Sequence, residues 1–321
     1  KAVAILKVLS DSQEPLGGRV IARRLRDLGI DLGERAVRYH LKLMDERGLT
    51  HSVGRRDGRS ITQRGIEELK SALVSDRVGS VTARIELLAY RTTFDVEKRT
   101  GEVAINTSVF PKEKFSPALK AMEGAFKAGL CVSHLVAVAG EGERLGEVIV
   151  PRGKMGLATV SSIATIGALF KAGIPVNAKF GGLLQIRNHV PIRFVELIEY
   201  AGCSLDPSEI FIAGRMTSVG QVATRGEGKI LANFQEIPAP CKPMVETVIK
   251  KLNEASLGGM VAMGGISESI CEVPAGLNKI GMILHSGLNP VAAAVEAWIE
   301  VENHAMSGLI DYRKLVSFWN L

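Results

Sequence analysis

No two of the four cysteines, Cys131, Cys203, Cys241 and Cys271, stand as a C-x-x-C pair. That excludes a zinc knuckle or a thioredoxin-type motif and fits reduced thiols. The six histidines, His40, His51, His134, His189, His285 and His304, show no metal-ligand spacing with carboxylates or cysteines. No apolar run reaches bilayer-spanning length and no signal-peptide pattern is visible, so the reading is a cytoplasmic protein with no membrane partner. Signatures of catalysis are missing too. There is no G-x-S-x-G elbow, and Gly140-x-Gly142-x-x-x-Gly146 misses the dinucleotide fingerprint by one residue. Arg152-Gly153-Lys154 lacks both the upstream glycine and the following Ser/Thr of a phosphate loop. The expectation is a non-enzyme with no catalytic residues, no metal and no cofactor.

What is present divides unevenly. With 321 residues, 46% of them apolar, the chain is long enough for two or three domains. The net charge is +6, and residues 1–72 alone hold fifteen Lys/Arg against ten Asp/Glu. A basic small module on a near-neutral large one implies that the first meets a polyanion.

The first module is organised around Gly33–Arg47. Val37, Leu41 and Met44 fall on one helical stripe, and Arg35, Arg38, Tyr39 and Lys42 fall on another. Gly48 stops this helix, and a basic hairpin with Arg55, Arg56, Asp57-Gly58 and Arg59 follows. Two apolar-periodic helices precede it, with Arg19, Arg23, Arg24 and Arg26 on the outside of the second. A fourth starts at Thr62-Gln63-Arg64-Gly65. Three helices, a hairpin and a helix outline a winged helix-turn-helix over residues 1–73. Arg35, Arg38, Tyr39 and Lys42 are the expected contacts to bases or phosphates of double-stranded DNA. Arg55, Arg56 and Arg59 are the expected contacts to backbone or minor groove. Glu34 reads as a helix-dipole partner and His40 as packing. The fold alone does not prove DNA binding, since winged helices also meet protein and RNA.

Beyond a short polar linker, the chain repeats itself at a period of about 125 residues. Gly101–Asn106 and Pro111 match Gly228–Asn233 and Pro238; Lys154-Met155-Gly156 and Ser161 match Lys279-Ile280-Gly281 and Ser286; Gly182-Leu183-Leu184 matches Gly308-Leu309-Ile310. The halves run over about 81–199 and 200–321. Each reads as two β-type runs (81–91 and 101–110; 209–215 and 220–236), a helix, a buried strand, a further strand, a helix and a last strand. The fold class is therefore α+β: a winged helix-turn-helix, then an internally duplicated α/β sandwich-like regulatory domain over 81–321. Its sheet would be mostly antiparallel, covered by helices, with a cleft between the halves. A small-anion pocket is expected at the basic turn Arg152-Gly153-Lys154, the helix start Ser161-Ser162 and the second-copy Lys279. On that reading, replacing Arg152 and Lys154 by Ala abolishes any response to the anion.

Three stretches carry a family resemblance: Gly33–Leu41, the Gly54–Arg59 wing and Thr62-x-x-Gly65. Gly181-Gly182-Leu183-Leu184 and Ser204-Leu205-Asp206-Pro207 extend it over the whole chain. Together they resemble the archaeal nitrogen regulatory repressor NrpR family. The resemblance implies a repressor of nitrogen-assimilation genes that binds palindromic operators as a homo-oligomer, a homodimer or higher. It also implies release by 2-oxoglutarate acting as allosteric effector. The alternative is an enzyme acting on a small carboxylic acid with an appended winged helix; a protein-interaction adaptor is a third reading.

Overall fold

The computed structural model describes residues 1–12, 14–54, 58–71 and 79–321. The chain divides into two compact units, Lys1–Arg77 and Val78–Leu321.

The first unit runs α1 (Ala2–Ser10), α2 (Gly18–Asp27), α3 (Glu34–Glu46), β1 (Thr50–Gly54), β2 (Gly58–Ile61) and α4 (Gln63–Ser71). Val37, Leu41 and Met44 turn inward from α3 and are essentially buried, joining Ile5, Leu9, Ile21 and Leu25 in one core. Each such side chain contributes roughly 1.5–3 kcal/mol when removed from water. Leu16 exchanges two backbone hydrogen bonds with Arg59, which adds a third short strand to the β1–β2 hairpin. The Thr62-x-x-Gly65 pattern has a local cause. Thr62 Oγ1 accepts the Gly65 N–H at 3.0 Å and donates to the Gly48 carbonyl at 2.7 Å, capping α4. A Cβ on Gly65 would lie 2.1 Å from the Leu49 carbonyl oxygen, so only glycine lets α4 sit against that turn.

The second unit opens with α5 (Ser80–Arg91), β3 (Glu102–Pro111) and α6 (Phe115–Lys127). It continues through β4 (Leu135–Ala139), a small hairpin β5 (Arg144–Leu145) and β6 (Val148–Ile149), β7 (Lys154–Val160) and α7 (Ile163–Lys171). Then follow β8 (Asn177–Arg187), β9 (Val190–Glu199), α8 (Pro207–Ala213), α9 (Val219–Arg225) and β10 (Gly228–Pro238). The chain ends with α10 (Lys242–Glu254), β11 (Met260–Ile266), β12 (Lys279–His285), α11 (Asn289–Glu296), β13 (Glu302–Asp311) and β14 (Val316–Ser317). No helix among the described residues is long and apolar enough to cross a membrane.

Two five-stranded antiparallel sheets result, ordered β13-β3-β7-β4-β14 and β11-β12-β10-β8-β9. β8, from the first half of the repeat, lies beside β10 of the second. β13, from the second half, lies beside β3 of the first. Registers repeat as well: Gly308 stands opposite Ile105 and Gly182 opposite Ala232, while Lys154 pairs with Pro111 and Lys279 with Pro238. Helices cross over in the same way, α6 packing on α11 and α7 on α10. Both large cores accordingly draw on both halves.

Three β-type runs need correction. Residues 80–91 and 207–213 are helices, and 219–225 is a helix ahead of the β10 strand. Val81, Ile85, Leu88 and Ala89 are buried along one side of α5, a helical spacing. Asp206 accepts the Ser208 N–H at 2.8 Å and Pro207 takes the first turn, so α8 starts with a side-chain cap that outweighs the β-branched Ile210 and Ile212.

Candidate nucleic-acid interface and central polar cavity

In the first unit, the core stripe of α3 forces its opposite face into solvent. Arg35, Arg38, Tyr39 and Lys42 are all exposed, Tyr39 by 62%. Arg38 is steadied by Glu34 one turn earlier at 2.6 Å, a surface pair of modest worth that orients the guanidinium. Glu34 therefore pairs with a side chain besides complementing the helix dipole. The wing tip, Arg55, Arg56 and Asp57, lies outside the described residues. Arg59 does not behave as a wing-tip cation. Its Nε lies 2.6 Å from Asp45 Oδ2, and Asp45 also accepts the Thr50 hydroxyl at 2.5 Å. Arg59 lies on β2 opposite Ser52, where its backbone also pairs with Leu16, and its side chain is drawn back onto α3. It ties the wing to the helix.

In the second unit, a small cavity of about 20 Å³ is lined by both halves of the repeat. Asn106, Ser161 and Ser162 on one wall correspond to Asn233, Ser286 and Gly287 on the other. The Ile163 N–H donates to Ser161 Oγ at 3.4 Å and the Leu288 N–H to Ser286 Oγ at 3.2 Å, at the first turns of α7 and α11. Two helix N-termini, with their partial positive charge, thus open on one cavity. Tyr200 Oη donates to Asn233 Oδ1 at 2.7 Å, and Asn233 Nδ2 donates to Ser162 Oγ at 2.8 Å. Asn106 Oδ1 accepts the Met306 N–H at 3.0 Å. Gln235 Oε1 is buried without a hydrogen-bond partner among the described residues, an unmet acceptor in the wall. Burial pushes the Asp206 carboxyl above the usual carboxylate range, and burial with the nearby Asp206 pushes the Tyr200 phenol well up. The walls offer donors and acceptors but no lysine or arginine.

A family model described as NrpR regulatory domains NRD1 and 2 matches residues 78–317. The chain belongs to the NrpR family. A model described as the Ribonuclease R winged-helix domain matches residues 3–69 of this NrpR-type chain. The chain is 40% identical over 98% of its length to the Global nitrogen regulator NrpRI of Methanosarcina mazei, covering 97% of that protein. It is 33% identical to the Global nitrogen regulator NrpR of Methanococcus maripaludis and 34% identical to that of Methanocaldococcus jannaschii. It covers 96% and 98% of itself in those matches but spans only 54% of each relative. All three relatives are named as regulators. The fold is similar to that of a crystal structure of a nitrogen repressor-like protein from Methanococcus jannaschii, with a TM-score of 0.63 at 24% identity. That match covers 74% of this chain and 97% of the other.

Within the NrpR-type domain the six residues expected to form one anion pocket do not converge. Ser161 and Ser162 line the central cavity. Arg152, Gly153 and Lys154 stand at the opposite end of β7, roughly 20 Å away at ~3.4 Å per residue. Arg152 is 95% exposed and leans on Glu141 at 3.9 Å, whose carboxylate also takes the Gly153 N–H at 2.9 Å. Lys279 is likewise at the far end of β12 from Ser286. In each copy a strand separates the lysine from the serine at the helix start, so the structure does not bring them into one pocket. Asn106, Asn233, Gln235, Tyr200, Asp206 and Ser208 were not singled out for it. The matched Asn106/Asn233 and Ser161/Ser286 pairs were the available signal, because equivalent positions of a repeat meet at its pseudo-twofold axis.

Proposed function

We propose that this chain is a DNA-binding repressor of nitrogen-assimilation genes, engaging operator palindromes as a homo-oligomer and released by 2-oxoglutarate. Residues 1–73 serve as its DNA-binding part and 81–321 as its regulatory part. The observation that carries the reading is the union of a winged-helix unit, bearing an exposed cationic stripe on α3, with an NrpR regulatory domain. The names of the relatives support the nitrogen-regulating role and speak against the enzyme reading.

For the effector, the central cavity is a better candidate than the basic turn. Two helix N-termini favour carboxylate ends, and Asn233 and Ser162 supply hydrogen bonds. At about 20 Å³ the cavity holds about one water, so a five-carbon dicarboxylate enters only if the walls part. Binding then selects an opened domain over the closed one, and release of DNA follows if the closed form is the operator-competent one.

The test is a titration of the full chain against an inverted-repeat promoter fragment and a scrambled control at fixed salt, with and without millimolar 2-oxoglutarate. Preferential binding to the repeat, weakened by the ligand, is the expected result. N233A should keep operator binding and lose the response, whereas R152A/K154A should keep both. A response lost in R152A/K154A and kept in N233A would return the effector to the basic turn.

A further inference from the structure

α10 carries Lys242, Glu246, Lys250 and Glu254 along one inclined stripe, spaced by four and alternating in sign. Pairs at that spacing can steady their own helix, but no ion pair forms within this stripe. Among the described residues the ion pair of α10 is Lys251–Glu97, so the four charges stay unmatched. Val245, Ile249 and Leu252 fix the helix in the core, which leaves Glu246, Lys250 and Glu254 exposed.

Beside the stripe runs β11, an edge strand that pairs only with β12 among the described residues. Met260-Val261-Ala262-Met263-Gly264-Gly265-Ile266 holds neither charge nor proline, the usual guards of an open edge, and Ile266 is exposed. Two bulges shorten the run that a partner strand could follow, so the helix beside it must share any contact. Glu268 reaches back to Gly265, near the end of the strand. Between helix and strand lies a groove of about 660 Å³, lined by Ile249, Asn253, Met260 and Met263 and by Glu246, Lys250 and Glu254 of the stripe.

The first half of the repeat shows what such a groove takes. There the equivalent strand is β4, whose outer edge is joined by β14, while Phe318 stacks on Phe126 of α6 with ring centroids 4.2 Å apart. Phe126 is the counterpart of Asn253 and Val136 that of Met260, by position in α6 and α10 and in the two sheets. The chain fills this place in one half with its own residues 316–318 and, among the described residues, leaves it open in the other.

The charges choose the occupant. A twofold axis at Val248 sets Glu246 against Lys250 of an antiparallel second copy and Lys242 against Glu254, so every charge of the stripe meets its opposite. The same axis passes the middle of β11. Val248 stands about 9 Å from the end of α10 at ~1.5 Å per residue, and Met263 about 10 Å from the start of β11 at ~3.4 Å per residue, both counted from the turn that joins them. About Met263 the axis lays Ile266 over Met260 of the second copy, apolar on apolar.

We infer that the α10–β11 face is the surface through which two copies of this chain associate, antiparallel about an axis through Val248 and Met263. This rests on the homo-oligomer of the repressor reading and supplies its contact surface. Because the axis is twofold, each ion pair occurs twice, and a like-charge change at one position is felt twice.

The experiment is sedimentation equilibrium of the full chain, with thermal unfolding to check that each variant folds. The wild type should associate. K250E and E246K, which set like charges against each other, should each raise the dissociation constant roughly tenfold or more. M263K, with a charge on the axis, should do the same. Mixing K250E with E246K should restore the wild-type affinity, and so should the double swap E246K/K250E in one chain. A wild type that stays monomeric would overturn the inference and leave the groove to another partner. Folded K250E and M263K that associate as the wild type does would overturn it too, by placing the contact elsewhere. Loss without rescue in the mixture would reject the twofold register and the inference with it. Association and rescue as expected, with no preference for the inverted-repeat fragment over its scrambled control, would keep this surface and sink the repressor reading instead.

Discussion

Glu209 shows how one carboxylate can tie folding to pH. Its Oε1 accepts the Ala305 N–H at 2.6 Å, and burial, with some help from Asp206, pushes its pKa from 4.5 to about 7. The folded state holds this proton up to near neutrality, while the unfolded chain gives it up above the ordinary value. The contribution of Glu209 to stability is therefore greatest at low pH and falls as pH rises between those two values. Glutamine keeps an acceptor for Ala305 without the charge. E209Q should gain on the order of 1–2 kcal/mol at pH 8, a few degrees in Tm, and close to nothing at pH 4.5. An equal gain at both pH values would assign the effect to packing instead of titration. Cys131, pushed up to about 12 by burial, is by contrast a packing residue with no thiolate chemistry near neutrality.

At the scale of elements, α11 begins where the backbones of the two halves are in close contact. A Cβ on Gly287 would lie 2.0 Å from the Val160 carbonyl oxygen and 2.7 Å from Asn106 Nδ2. G287A should cost about 2–4 kcal/mol, read as a lowered urea midpoint, and should loosen the cavity wall. The same scale separates what the sequence made legible from what it did not. α1 to α4 and the two hairpin strands followed from apolar spacing, a glycine stop and a turn dipeptide, all local signals. α5 and α8 were mistaken for strands because Val81-Thr82 and Ile210-Phe211-Ile212 are β-formers by composition. The period of Val81, Ile85 and Leu88, and the Asp206-Pro207 start, pointed the other way. β9 went unread because a bulge opposite Leu183 and Leu184 breaks its alternation, leaving Val195 and Leu197 exposed on either side of Glu196. Arg59 looked like its wing neighbours until the Asp45 carboxylate, fourteen residues earlier, turned out to hold it.

At the scale of the molecule, the repeat announced two halves but not their exchange of strands, because pairing partners more than a hundred residues apart leave no local mark. β8 and β13 each complete the other half's sheet, so neither half can bury its own strands alone. Residues 78–199 and 200–321 produced separately should be unfolded or aggregated by circular dichroism and gel filtration. Produced together, they should restore a cooperative transition; an independently folded half would refute the dependence. Two identical chains interwoven in this manner would have to present the same groups from both walls of the cavity. A single chain is released from that obligation. Serine at 162 answers glycine at 287, and Gln235 stands where the other copy has Ser108, so the chamber is handed and offers different groups to the two ends of the effector proposed to enter it.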